Sequence, residues 1–215
     1  MIGWRPNPFI FVHIPKCAGA SIEHALVAVA TSYKKIDDVP ERMRSRHFLP
    51  GKLGRQHAKL LEYNPASKKD FCKVSFVRNP WDRAVSQIAF LSSRDKGRSV
   101  FLGNTFKKDI YIYCHSKKTV LYHDLGACQL DYLLDRNKKL DMDFVGRFEN
   151  LDSDFKKMCE IIGIEKIPQL PHINPSPRHG HYSFYYDAES VEWIRKRFAR
   201  DINFFGYEFE NQRPL

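Results

Sequence analysis

The first clear pattern in the chain is an apolar run that passes directly into a short turn and then a helix. Residues 9–14 read Phe-Ile-Phe-Val-His-Ile, a run typical of a buried strand, and the next seven residues contain one glycine, Gly19. A helical spacing of apolar residues follows at once, so the pattern predicts strand, tight turn and helix in that order. The positions that line one face of this helix are Ile22, Ala25, Leu26 and Val29.

The turn between this strand and helix has the features of an anion site. Free N–H groups and the positive end of the helix dipole converge there, and Lys16 and Ser21 add a charge and a hydroxyl. It is not a Walker A loop, because its lysine precedes the glycine, and the GxGxxG fingerprint is absent. An ordinary strand-to-helix turn with a surface lysine is the alternative.

A second strand-to-helix connection has a similar layout. Residues 71–77 form an apolar run typical of a buried strand, and Arg78 follows it directly. Asn79 suits an N-cap, Pro80 suits the first helical position, and Asp82 falls in the first turn, where an acid is favoured. Two cations after two strands indicate two anionic groups on one ligand. The alternative is that Arg78 only pairs with an acid such as Asp82.

Further patterns complete a predicted α/β fold. Residues 141–147 read as a strand, and a helix with an apolar face follows and ends at Gly163. Helices are also predicted over 119–134 and 187–202. We expect a three-layer, P-loop-like α/β domain, with a mainly parallel central sheet flanked by helices. The apolar face after the third strand comprises Leu151, Phe155, Met158, Cys159 and Ile162.

Length and composition agree with one domain over 1–215. The chain has 215 residues, 43% of them hydrophobic, which suffices for a full core. Two polar stretches, near 32–58 and 92–118, do not continue the strand-and-helix pattern. They are predicted to be insertions that bind the acceptor of the reaction, since loops on a rigid scaffold usually carry specificity.

Charge and cysteine content narrow the class of protein. The formal net charge of +10 attracts anions, but the basic residues are spread in short pairs, and no arginine-dense helix or RNA-stacking motif indicates nucleic acid. The five cysteines include no CxxC pair, which predicts free thiols, and no spacing matches a usual zinc site. No signal peptide or membrane-length apolar run is found, so a soluble, cytoplasmic protein is expected.

Several segments, in order along nearly the whole chain, resemble the carbohydrate-type branch of the sulfotransferases that use 3′-phosphoadenosine 5′-phosphosulfate (PAPS). The resemblance is most specific at residues 13–22, which look like the 5′-phosphosulfate loop, and at residues 76–86, which look like the 3′-phosphate motif. The later segments that resemble family blocks are 144–151, 170–178, 185–187 and 201–207.

The resemblance implies roles for residues in both phosphate motifs. Lys16, Gly19 and Ser21 are expected to bind the 5′-phosphosulfate, within a loop that also contains Cys17, Ala18 and Ala20. Arg78 and Ser86 are expected to bind the 3′-phosphate. Family members often have threonine at the positions of Cys17 and Ala20, and a hydroxyl lost from a phosphate contact weakens binding by about 1 kcal/mol.

The remaining roles concern catalysis and the acceptor. The family has a histidine between the two phosphate motifs as general base, which corresponds to His57, and neutral imidazole is available near neutral pH. Lys16 is expected to stabilise the leaving phosphate, with no metal required. His47 is the next candidate histidine for a role at the acceptor side, and Arg178 is expected to contact the nucleotide. Arg147 and Glu149 follow a strand end, where ligands commonly bind, although a structural salt bridge explains them equally well.

We therefore expect a PAPS-dependent sulfotransferase that moves a sulfuryl group to an acceptor hydroxyl, most simply that of a carbohydrate, and releases 3′-phosphoadenosine 5′-phosphate (PAP). Two alternatives remain. One is a P-loop-like kinase of a small molecule, which should need Mg²⁺ and a Walker lysine. The other is a basic module that binds anions or nucleic acid without catalysis.

Overall fold

A computed structural model describes residues 9–31, 57–62, 71–94, 106–115, 126–173 and 180–213. The strands are β1 (Phe9–Val12), β2 (Cys72–Val77) and β3 (Phe144–Arg147). The α-helices are α1 (Gly19–Thr31), α2 (Pro80–Arg94), α3 (Phe106–His115), α4 (Leu130–Leu133), α5 (Leu151–Ile161), α6 (Ala188–Arg197) and α7 (Ala199–Phe205).

The chain divides into two compact units. The first comprises Met1–Val77 and Asp131–Asn174, and the second comprises Arg78–Leu130 and Pro175–Leu215. The predicted fold class is confirmed, since a parallel sheet is flanked by helices in a mixed α/β arrangement. Within the described ranges, no helix has both the length and the apolar character that a bilayer span requires.

The sheet belongs to the first unit and has the strand order β1-β2-β3. Both pairs are parallel, with Val12 opposite Ser75 and Val77 opposite Arg147. All four β1 residues are buried, which explains why β1 is a continuous apolar run rather than an alternating one. Among the residues of the three strands, only Ser75 carries a hydroxyl, and its Oγ donates a hydrogen bond to the Val12 carbonyl at 2.7 Å.

Helix α5 packs against β3 through the apolar face that the sequence predicts. Phe155, Met158, Cys159 and Ile162 are all buried, and Gly163 follows at φ 76°, a left-handed conformation that ends the helix. Asn150 is the N-cap residue but makes no side-chain capping bond. A hydrogen bond from the backbone N–H of Arg147 to Asp154 Oδ2, at 2.8 Å, links the end of β3 to the first turns of the helix.

The second unit contains α2, α3, α6 and α7 around buried aromatic residues. Trp81 is fully buried, and its indole Nε1–H donates to the Val191 carbonyl at 3.1 Å. Tyr186 Oη donates to the Trp81 carbonyl at 2.8 Å. A capping box between Asp187 and Ser190 begins α6. These side-chain bonds hold the start of α2 and the start of α6 to one core.

Several predicted boundaries are wrong, and the strand predicted over 141–147 begins only at Phe144. The first strand ends at Val12 rather than residue 14, and the turn begins at residue 15. In the predicted helix over 119–134, residues 126–129 form a turn and only Leu130–Leu133 are helical among its described residues. The predicted helix over 187–202 is two helices, because the backbone at Phe198 (φ −113°, ψ 27°) leaves helical geometry while its ring stays buried.

Candidate active site

The turn after β1 has an unusual backbone. Lys16 and Ala18 have φ values of 67° and 61°, although neither is a glycine. Left-handed conformation costs an L-residue about 1–2 kcal/mol, and turns that use it form concave sets of N–H groups that bind anions. The first turn of α1 contains no acidic residue to neutralise its positive end. This turn therefore combines a backbone suited to an anion with the charge of Lys16.

The side chains of the turn differ in their surroundings. Cys17 is buried, with its thiol 3.6 Å from the Pro15 carbonyl, and its N–H donates to the Ile14 carbonyl at 3.4 Å. Lys16, Ala18 and Ala20 are half-buried. The thiol of Cys17 thus packs into the first unit.

Ser21 joins the turn to a late segment of the chain. It is buried, and its Oγ accepts a hydrogen bond from the backbone N–H of Ile173 at 3.1 Å. Residues 170–173 belong to one of the segments that resemble family blocks, but the sequence did not indicate that this segment would contact Ser21. The hydroxyl hydrogen of Ser21 remains a possible donor to an anion, because the bond to Ile173 uses only an oxygen lone pair.

His57 lies at the entry to the same turn. Its Nδ1 is 3.1 Å from the carbonyl oxygen of His13, and the two imidazole rings meet edge to face with centroids 4.6 Å apart. A carbonyl can only accept, so Nδ1 carries the hydrogen and neutral His57 has its lone pair on Nε2. The imidazole therefore has the tautomer in which Nε2 can take a proton.

Arg78 begins the second unit, and its side chain is buried beside an acid. The guanidinium Nε donates to Asp82 Oδ2 at 2.6 Å, so the ion pair considered from the sequence is present. Asn79 caps α2 as predicted, since its Oδ1 accepts the Trp81 N–H at 3.1 Å, and Pro80 is the first helical residue. The pair fixes the plane of the guanidinium, which has five N–H donors in all.

Sequence reasoning missed two residues that hold the backbone of Arg78. Gln129 accepts the Arg78 N–H through Oε1 and donates through Nε2 to the Arg78 carbonyl, each at 2.8 Å. Asp201 in turn accepts the N–H groups of Gln129 and Leu130 at 2.7 and 3.0 Å. Burial raises the pKa of Asp201, and these two N–H bonds act in the opposite direction. Asp201 is the first residue of the family-like segment 201–207, and no other feature of the sequence indicated a role for it.

The other predicted site residues fall into three groups. Ser86 is buried within α2. Arg147 is half-buried at the end of β3, and Glu149 is exposed in the 3₁₀ helix Phe148–Asn150. His47, Arg178 and most of the predicted insertions at 32–58 and 92–118 lie outside the described residues.

The described residues include five free cysteines and no cluster of potential metal ligands. All five cysteines are free, and burial raises the pKa values of Cys114 and Cys159 to about 12, so both stay protonated at neutral pH. No group of three or more potential metal ligands lies together among the described residues.

Comparison with known proteins identifies the class of enzyme. Residues 5–208 match the model of a family described as the sulfotransferase family. The chain belongs to the sulfotransferase family. An uncharacterized protein from Archaeoglobus fulgidus is 32% identical to this sulfotransferase over 94 residues, which cover 44% of the chain and 67% of the archaeal protein. The match extends over the turns after β1 and β2 and over the segments around β3, α6 and α7.

Proposed function

We propose that this sulfotransferase transfers the sulfuryl group of PAPS to a hydroxyl group of a carbohydrate. The observation that carries the proposal is the contact between His57 and the His13 carbonyl, across 44 residues of sequence. This contact supports a role for His57 as base, because the imidazole lies beside the residue that links β1 to the Lys16 turn.

Two sets of groups are assigned to the donor. In the first unit, the N–H groups of the left-handed turn and the Lys16 ammonium suit the 5′-phosphosulfate, since fixed positive groups bind such oxygens without reorganisation. In the second, Arg78 suits the 3′-phosphate, because Asp82 orients its guanidinium and a guanidinium matches the geometry of phosphate oxygens. Ser86 is assigned to the same phosphate from the family resemblance.

The reaction is an in-line displacement at sulfur. The acceptor oxygen forms a bond to sulfur while the bond from sulfur to the bridging oxygen breaks, and the electron pair stays on the 5′-phosphate of PAP. The acceptor proton passes to Nε2 of His57. Lys16 neutralises the charge that develops on the bridging oxygen, and most of the rate enhancement then comes from position and electrostatics.

Two features favour a carbohydrate acceptor. The segments at 144–151 and 170–178 resemble the carbohydrate-type branch, and the net charge of +10 attracts an acidic polysaccharide. Arg147, Glu149 and His47 are assigned to the acceptor side. Arg147 lies at the carboxyl end of a parallel strand, which is the usual position for ligand-binding residues in α/β proteins.

Calorimetry with three nucleotides tests the donor assignment. We expect PAP to bind, ATP to bind far more weakly, and AMP, which lacks the 3′-phosphate, to bind at least about tenfold more weakly than PAP. Arg78→Gln should reduce the preference for PAP over AMP, a ratio that does not depend on the folded fraction. Equal binding of PAP and ATP would contradict the proposal.

Transfer from sulfur-labelled PAPS tests the chemistry and the acceptor class. The acceptors are an unsulfated uronic-acid polysaccharide, a neutral oligosaccharide, a simple alcohol and a tyrosine peptide, and the polysaccharide should be labelled fastest. His57→Ala should lower transfer by about 10²–10⁴-fold while PAP still binds, because only the proton acceptor is lost. Full activity in that variant would exclude His57 as the base.

A further inference from the structure

The mechanism above leaves the side chain of His13 without a role, although the structure holds it firmly. Its Nδ1 lies 2.9 Å from Glu23 Oε1, and the two side chains are 7% and 21% exposed. Because a carboxylate accepts hydrogen bonds, Nδ1 of His13 is the donor in this contact. Glu23 lies in α1, so this bond ties the residue that follows β1 to the helix that follows the turn.

The His13 ring also lies directly on the backbone at the start of α1. A β-carbon added at Gly19 would fall 2.2 Å from both Cδ2 and Nε2 of the ring, far inside any possible contact. Only glycine at position 19 permits this approach. The ring is thus confined between the first residue of α1 on one side and the Glu23 carboxylate at Nδ1.

The same ring meets the imidazole of His57. The two ring planes are 88° apart, and the carbonyl of residue 13 accepts the Nδ1 hydrogen of His57. The carbonyl selects the tautomer of His57, and the ring contact restricts the plane in which Nε2 lies. Residue 13 therefore contacts both the donor turn and the base.

We propose that Glu23 and His13 are positioning residues for the proton transfer. Glu23 fixes the His13 ring, and the ring and carbonyl of His13 align His57 so that Nε2 faces the acceptor hydroxyl. Neither residue needs to touch a substrate. The inference rests on the proposed function of His57 as base, and it adds that the orientation of the base depends on a carboxylate in α1.

Three variants separate positioning from simple packing. Glu23→Ala removes the acceptor for Nδ1, Glu23→Gln keeps an oxygen acceptor, and His13→Phe keeps a ring without the donor. His24→Gln is the matched control, because His24 is the next residue on α1 and is exposed. Each protein is compared for PAP affinity, for transfer from PAPS to the best acceptor of the screen, and for the ¹⁵N spectrum of its histidine side chains.

Positioning predicts a loss in kcat without a loss in PAP binding. Glu23→Ala and His13→Phe should lower kcat about tenfold or more, since small misplacements of a reacting group are costly, while PAP affinity stays within about twofold. Glu23→Gln should retain most of the activity, and His24→Gln all of it. The spectrum should show the Nδ1–H tautomer of His57 in the parent enzyme and a mixture of tautomers in Glu23→Ala.

Two results would overturn the inference. The first is an unchanged kcat and His57 spectrum in both Glu23→Ala and His13→Phe. The second is a fall in PAP affinity and in thermal stability that accounts for all of the lost turnover. Glu23 and His13 would then contribute only to packing. A parent enzyme that does not bind PAP overturns the proposed function instead, and that result is known before any variant is compared.

Discussion

The turns that follow β1 and β2 both lead into a helix, but they are held by different kinds of interaction. The first relies on backbone geometry, with Lys16 and Ala18 left-handed and no acid in the first turn of α1. The second relies on side chains. Asn79 caps α2, Asp82 binds the Arg78 guanidinium, and Gln129 binds both backbone groups of Arg78.

This difference indicates where each turn is sensitive to substitution. Because the first turn is shaped by backbone conformation, we expect side-chain substitutions there to affect binding and catalysis more than folding. In the second turn, many of the polar groups already form hydrogen bonds with a network of buried side chains of the protein. Substitutions in that network should first lower stability, since each lost partner leaves a buried polar group unsatisfied.

The largest effect is expected at Asp201, in the side-chain network. Asp201→Ala removes the acceptor of two buried N–H groups, those of Gln129 and Leu130. Each orphaned group costs about 1–3 kcal/mol, so the free energy of unfolding should fall by about 3 kcal/mol or more. Urea denaturation measures this loss. A change below about 1 kcal/mol would mean that the network is not needed to hold the second turn.

Asp201→Asn provides the control, and its effect should depend on pH. The folded state raises the pKa of Asp201, so this carboxyl contributes stability that is present below its unfolded pKa of about 3.9 and lost as pH rises through the folded value. Asparagine does not titrate. The stability gap between the parent enzyme and Asp201→Asn should therefore be larger at pH 4 than at pH 7, and a gap that widens with pH would reverse the sign argued here.

An intermediate effect is expected at Gly19, the residue at which the turn after β1 leads into α1. Gly19→Ala places a methyl group against the His13 ring, and the forced shift should lower the free energy of unfolding by about 2 kcal/mol and also reduce the transfer rate. Gly206→Ala is the matched glycine control. Its φ is 65° with nothing within 4 Å of the added carbon, so it should cost about 1 kcal/mol of strain and leave transfer unchanged. Equal transfer rates in both variants would contradict a role for the ring contact.

The smallest effect is expected at Ala18. Ala18→Gly relieves left-handed strain but gives the unfolded chain more freedom, so stability should rise by less than about 1 kcal/mol, with PAP affinity within about twofold. The counterpart after the second turn is Ala84→Gly, in the buried interior of α2. It should instead lower the free energy of unfolding by about 1 kcal/mol. If both substitutions destabilised equally, the contrast between the two turns would fail.

Local chemistry explains which parts of the fold the sequence predicts well. The Asn79 cap, Pro80 at the first helical position and the apolar face of α5 depend on residues within a few positions of each other, and all are found. The described part of the α1 face, Ile22, Ala25 and Leu26, is buried as well. The helix break at Phe198 was missed because its apolar spacing continues through the break. Burial of the Phe198 ring outweighs local helical preference there.

The candidate site divides in the same way. The sequence by itself determined the turn after β1 and the Asn79 cap after β2, since each lies within a contiguous strand, turn and helix whose residues specify the local geometry. Only the tertiary structure decided that His57 meets residue 13, that Ile173 donates to Ser21, and that Gln129 holds Arg78. These contacts join residues 44 to 152 positions apart, and their partners are chosen by how the strands and helices pack, which no local spacing encodes.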